Sequence, residues 1–355
     1  MSTLLDEISP HSTVRATVAD EGGVVIFYLQ GREDLDFGTR ACWVRNLKPA
    51  PEELSFADME SGRAPLLPRG FCKHPDGARP LSPEDLRVVW FEEGDGAALL
   101  EGDEVLAVIP GWSGEGGFQG YARDCTGHSK LCWELGDWGP DNAMVQRLRS
   151  AADFWSAWDK SPTPWEQVSD AIIDSVGKGV GPHQKYYAID GNEWPPKALM
   201  QIPVRGGTAL VTVGVCLRPQ PNVERYMEDP SPCRRIELGI CVDESFDQSQ
   251  IDAIASYTST ETMRPWDQFT WLGLGHTIAC NFIPGFPAVI LHTAPAGMPP
   301  IKLPAFRGDP VNLLWMIPIT ESELTFSMQK GGKALLKLLD WRKVHWMHRT
   351  RSSVV

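Results

Sequence analysis

The stretch that decides the fold is Phe269-Thr270-Trp271-Leu272-Gly273-Leu274-Gly275-His276-Thr277-Ile278, followed by Ala288-Val289-Ile290-Leu291-His292 and, after a Pro-rich loop over 295–304, by Leu313-Leu314-Trp315-Met316-Ile317-Pro318-Ile319. The last two runs are short, rich in Val, Ile, Leu and Trp, and bounded by Gly or Pro, which is the pattern of buried strands. The Gly-Leu-Gly-His-Thr segment ahead of them reads as a loop that lets backbone approach something closely.

Outward from this core, hairpins recur. Runs at 14–18 and 23–30 flank Asp20-Glu21-Gly22-Gly23, and runs at 198–204 and 208–217 flank Arg205-Gly206-Gly207. Such turn residues between β-rich runs predict antiparallel pairs. Apolar runs at 40–47, 86–91, 97–100 and 104–109 add strands to the first part. Residues 235–242 alternate as a half-buried strand should. Helices are predicted from 142 to 160, from 165 to about 176, from 247 to 258, and from Thr320-Glu321-Ser322-Glu323, a capping-box pattern, with a break at Gly331-Gly332. The expected architecture is therefore α+β. An acidic β-rich domain over 1–140 leads through a helical neck (141–162) to a mixed α+β domain (163–341), and a frayed basic tail (342–355) follows.

Composition narrows the function. The 355 residues carry a net charge of −13. Residues 1–160 hold 15 basic and 27 acidic side chains, against 18 and 19 in the remainder, so the acidity belongs to the first part. Nucleic acid is a poor ligand for such a chain, because phosphate binding needs clustered Lys and Arg. No apolar stretch approaches the roughly 20 residues that span a bilayer. The start has neither a basic region nor an apolar core, so no secretory signal is expected. The eight scattered Cys are read as reduced thiols of a cytoplasmic protein. Fourteen Trp suggest aromatic cores, partner surfaces, or both.

Motifs for chemistry fail one after another. The loop Gly111-Trp112-Ser113-Gly114-Glu115-Gly116-Gly117-Phe118-Gln119-Gly120 has Gln119 where a dinucleotide fingerprint needs Gly, and no phosphate-cradling loop with its Lys occurs. Around Ser113, Glu115 stands where a nucleophile elbow needs its second Gly. Ser113 or His276 as part of a hydrolase remains an alternative, with Asp267 as a conceivable orienter. Cys125, His128 and Cys132 have zinc-ligand spacing but lack a fourth partner, since Cys72 and His74 lie about fifty positions away; a zinc-stabilised module is the second alternative. No cofactor is implied.

The segments Trp194-Pro195, Val211-Thr212-Val213-Gly214-Val215-Cys216-Leu217, Arg235-Ile236-Glu237-Leu238-Gly239, Ile254-Ala255-Ser256-Tyr257, the Trp271–Ile278 run, Leu314-Trp315-Met316-Ile317-Pro318-Ile319-Thr320-Glu321-Ser322-Glu323-Leu324 and Ala334-Leu335-Leu336-Lys337-Leu338-Leu339 resemble, in this order, the suppressor of fused-like (SUFU) domain. Residues 1–160 do not share the resemblance and read as an accessory module of the longer bacterial type. The resemblance implies a mixed α+β fold without catalytic activity. It also implies binding of protein partners: the animal member takes a peptide as an added strand between two lobes, and bacterial relatives include toxin-immunity proteins. The expectation is a non-catalytic protein-binding module, immunity or regulatory in role, that captures a toxin domain or regulatory protein on a groove or strand edge. Candidate contacts are Trp112, Phe118 and Tyr121 in the Gly-rich loop, and Trp266, Trp271 and His276 further on.

Overall fold

The computed structural model describes residues 2–280, 283–296, 301–344 and 351–355. It divides into two compact units. The first comprises Met1–Asp159 with Trp266–Phe269, the second Lys160–Pro265 with Thr270–Val355. Both sheets and helices are present, with the first unit β-rich and the second mixed α+β, as the sequence pattern requires.

The first unit holds two sheets. Strands β1 (Ser2–Ile8), β2 (Val14–Asp20), β3 (Val24–Gly31) and β4 (Thr39–Asn46) form an antiparallel meander. At the β2–β3 turn the Asp20 carboxylate accepts the Gly23 amide at 2.7 Å, and Gly22 and Gly23 take the positive φ the turn needs. Strand β1 leaves little trace in the residue pattern. Its side chains are mostly solvent-facing, so the apolar alternation that marks a half-buried strand is faint. After a short helix α1 (Phe56–Glu60), strands β5 (Leu86–Trp90), β6 (Ala97–Glu101), β7 (Glu104–Ile109), β8 (Tyr121–Ala122) and β9 (Trp133–Glu134) make the second sheet in sequence order. Helix α2 (Ala143–Ala157) closes the unit. Asn142 caps it, accepting the amides of Met144 and Val145, and its Val145, Ala151 and Phe154 are buried.

The second unit begins with α3 (Pro164–Gly179), whose Thr163–Glu166 capping box and first-position Pro fix its start. Its centre is a seven-stranded sheet ordered β10-β11-β12-β13-β16-β15-β14. The strands are β10 (Lys185–Ala188), β11 (Ala198–Val204), β12 (Gly207–Val213), β13 (Arg235–Asp243), β14 (Thr277–Ala279), β15 (Ala288–His292) and β16 (Val311–Ile319). All pairs are antiparallel except β13 with β16. Helices α4 (Val223–Tyr226), α5 (Gln248–Glu261), α6 (Arg264–Asp267), α7 (Glu321–Lys330) and α8 (Gly332–Trp341) complete the chain. The expected capping boxes at Asp247 and Thr320 are both formed, and Gly331 at φ 86° separates α7 from α8 where the Gly pair predicted a break. Leu335, Leu336 and Leu339 of α8 pack on Ala288, Ile290, Ile317 and Ile319, so each leucine removes an apolar surface worth about 2 kcal/mol from water.

Two departures have clear causes. Strand β12 stops at Val213, four residues short of the expected end. The buried Glu237 carboxylate accepts the amides of Gly214 (2.9 Å) and Cys216 (3.2 Å) and the Thr212 hydroxyl (2.6 Å), which turns the chain out of the sheet. The expected frayed tail is tied down at its described end. Arg351 makes a two-pronged ion pair with buried Glu323, 2.6 Å on each arm, and the Val354 amide donates to the same carboxylate. The Pro-rich loop falls partly on 297–300, which lie outside the described residues.

Candidate functional site

In the second unit the Trp271–Cys280 segment is built to hold a strand at the sheet margin. Gly273 is needed because the Trp271 ring lies over it, and Gly275 takes φ 85°. A Cβ on Gly332 would run into the Gly275 carbonyl, so the two glycines let α8 seat against the loop. From the other side the buried Gln220 amide clamps the loop. Its Oε1 accepts the Leu272 amide at 2.8 Å and its Nε2 donates to the Leu272 carbonyl at 3.0 Å. Gln220 stands between Pro219 and Pro221, a local pattern that gives no sign of this role.

Strand β14 is the last in the sheet. Leu291 donates to the His276 carbonyl at 2.9 Å and Cys280 donates to the Pro287 carbonyl at 2.8 Å, while Ile278 faces Val289. In an antiparallel ladder the bonded residues alternate with residues whose backbone groups face the other way. Thr277 and Ala279 therefore turn their N–H and C=O outward, and both residues are exposed. The Ala279 carbonyl accepts the Tyr257 hydroxyl at 3.0 Å. Burial and the nearby Glu261 hold that phenol far above its ordinary titration range, so it stays a donor. Exposed Leu274 stands at the entrance of the strand.

His276 sits half-buried beside the strand, edge-on to Trp271 with ring centroids 4.4 Å apart. Its Nδ1 donates to the Trp271 carbonyl at 3.2 Å, because a carbonyl can only accept. Burial lowers its pKa and that hydrogen bond offsets only part of the effect. The ring is then neutral at neutral pH, with Nε2 left as an acceptor. Trp271 and His276 thus form one patch with β14.

The Gly-rich loop of the first unit does the opposite. Gly114, Gly116 and Gly117 all take positive φ, and the loop bonds to itself, with Gly114 donating to Phe118 and Phe118 to Glu115. Phe118 is buried between Tyr121 and Trp133, at 4.9 and 4.8 Å, and His128 stacks on Trp133 at 4.2 Å. The Trp112 indole hydrogen-bonds the Tyr121 phenol and lies under the Arg147 guanidinium. This loop comes closest to its own sheet: a Cβ on Gly120 would stand 2.6 Å from the Val108 carbonyl. As partner contacts Phe118 and Trp266 need correcting, since both are core residues; Trp266 is buried among the first unit's residues. Trp112 and Tyr121 keep partial exposure.

The groups considered for chemistry are engaged within the fold. Ser113 donates to the Gln119 carbonyl at 2.5 Å. Cys125 and Cys132 are buried, and His128 is turned to Trp133. Among the described residues no group of three or more His, Cys, Asp or Glu stands where it could hold a metal, and no helix is long and apolar enough to cross a membrane.

The second unit is thus a mixed α+β domain organised on a seven-stranded sheet with an open margin. Residues 193–351 match the family model described as Suppressor of fused protein (SUFU), and this part of the chain is a SUFU-like domain. Two solved structures are similar to it. One is a SUFU homologue from Neisseria gonorrhoeae, 17% identical, covering 53% of this chain and 97% of its own, with a TM-score of 0.37. The other is the Sufu-Fu complex, 14% identical, covering 53% of this chain and 92% of its own, also with a TM-score of 0.37. No curated protein matches the chain.

Proposed function

We propose that this chain is a non-catalytic cytoplasmic protein that captures a partner protein as an added strand on β14, in an immunity or regulatory role against a toxin domain or a regulatory protein. The observation that carries this reading is the outward-facing backbone of Thr277 and Ala279 beside the Trp271–His276 patch. An incoming strand gains main-chain hydrogen bonds there, and side-chain pockets supply selectivity. The SUFU-like domain supports a recognition role, and the engagement of Ser113 and His276 with backbone carbonyls gives catalysis no poised group.

The test is Ala279→Pro. Its amide faces away from β15, so proline removes an outward donor without breaking the ladder. A partner isolated on the wild-type protein from its native cells should lose at least tenfold in affinity, about 1.4 kcal/mol or more. The opposite sheet margin provides the control: Ala188 of β10 also faces outward, because Ile189 donates inward to Lys197. Ala188→Pro should leave binding unchanged, and equal losses in both variants would refute the assignment to β14.

A further inference from the structure

Folding gathers four of the eight cysteines in the first unit. Cys42, Cys72, Cys125 and Cys132 are all buried. They arrive from β4, from the segment after Arg69, and from the turn regions on either side of 127–131. The Cys125 and Cys132 thiols hydrogen-bond, and Cys42 lies near both.

One pair has a specific geometry. Cys72 and Cys125 form an antiparallel bridge. Lys73 donates to the Asp124 carbonyl at 2.9 Å and Thr126 donates to the Phe71 carbonyl at 2.8 Å, one bond on each side of the pair. The cysteines are therefore a non-hydrogen-bonded cross-strand pair, the closer of the two kinds, with Cα atoms about 4.5 Å apart. A disulfide spans Cα separations of about 4.4–6.8 Å, so this backbone needs no rearrangement to be cross-linked. At present the Cys125 Sγ is directed to the carbonyls of Thr126, Gly127 and Cys132, 3.7 Å from each, and a rotation about χ1 redirects it.

We propose that Cys72 and Cys125 are an oxidative modification site, closing a cross-strand disulfide when a small disulfide of the glutathione type is available. Cys72 is the entry point, since it retains 8% exposure while Cys125 has none. The Cys72 thiolate attacks one sulfur of the small disulfide, whose S–S bond breaks and releases one small thiolate, which takes up a proton. The Cys125 thiolate then attacks the Cys72 sulfur, the protein S–S bond forms, and the second small thiolate leaves. Two protein thiols are oxidised and one small disulfide is reduced to two thiols. The hydrogen bond from Cys132 lowers the Cys125 pKa, partly opposed by burial, which favours Cys125 as the second nucleophile. Burial raises the Cys72 pKa and slows the entry step. The cross-link would tie the 69–78 segment to the hairpin that carries Trp133.

The experiment equilibrates the full-length protein with glutathione mixtures of increasing oxidised fraction, counts thiols and maps linked peptides without reduction. The expected result is the loss of two thiols with one linkage joining Cys72 to Cys125, and a higher Tm than the reduced protein. Cys132→Ser should keep that linkage and Cys72→Ser should abolish it. Eight thiols at every ratio, a glutathione adduct that stops at Cys72, or a Cys125–Cys132 linkage would each overturn the proposal. The wild-type map decides the matter even where a variant does not fold.

Discussion

Two loops in this molecule have nearly the same vocabulary and opposite fates. The 111–121 loop of the first unit and the 271–280 segment of the second are both glycine-punctuated and aromatic; the first joins the inner strands β7 and β8, while the second carries the edge strand β14. The first folds its aromatics inward, Phe118 against Tyr121 and Trp133, and spends its backbone on itself. The second uses its glycines to seat Trp271 and α8, and leaves Thr277 and Ala279 with backbone facing out. Composition marks a place where backbone comes close to something. Register decides whether that backbone is spent within the protein's own sheet or faces outward.

This contrast can be broken where each loop is strongest. Phe118→Ala empties the centre of the closed cluster and should cost about 3–5 kcal/mol, read by urea denaturation as loss of the first unit's transition. If Phe118 were a partner contact, the cost would be near zero. In the second unit the larger cost lies away from the strand edge, at the Arg351–Glu323 pair. Arg351→Ala leaves a buried carboxylate uncompensated, and about 3 kcal/mol should be lost, the low end for a buried pair because Arg351 keeps a little solvent contact. Burial raises the Glu323 pKa, but the bonds from Arg351, Thr320 and Val354 more than offset this and leave it below 4.5. The stabilisation is therefore present above pH 4.5 and lost as pH falls through the lower folded value. In Arg351→Ala the loss should begin at higher pH.

A smaller effect sharpens the open loop. His276 should titrate below 6.5 in an NMR pH series, since burial disfavours its charged form. Its neutral-form contribution is present above pH 6.5 and declines as pH falls below that value. A midpoint above 6.5 would mean that a carboxylate faces the ring.

Much of the framework could be read from residue order. The β2–β3 and β11–β12 hairpins, the capping boxes at Asp247 and Thr320, and the buried runs of β15 and β16 all follow from local turn chemistry and apolar runs. Short or solvent-facing strands escaped, because β1, β8, β9 and β10 bury too little to leave a period. The site was legible only in part. Trp271 and His276 were found through their glycines, while Tyr257 and Gln220 act through single long-range hydrogen bonds that no local pattern encodes. Cys72 and Cys125 are the clearest case: fifty-three positions apart in sequence, they are cross-strand neighbours in the fold.

The most direct test of the account is hydrogen exchange at the Thr277 and Ala279 amides with and without the captured partner. Strand addition on β14 predicts that both amides, outward-facing and unprotected by the ladder in the free protein, become protected in the complex, and that Ala279→Pro weakens the complex at least tenfold while Tm is kept. A complex that forms with both amides still exchanging freely would contradict it.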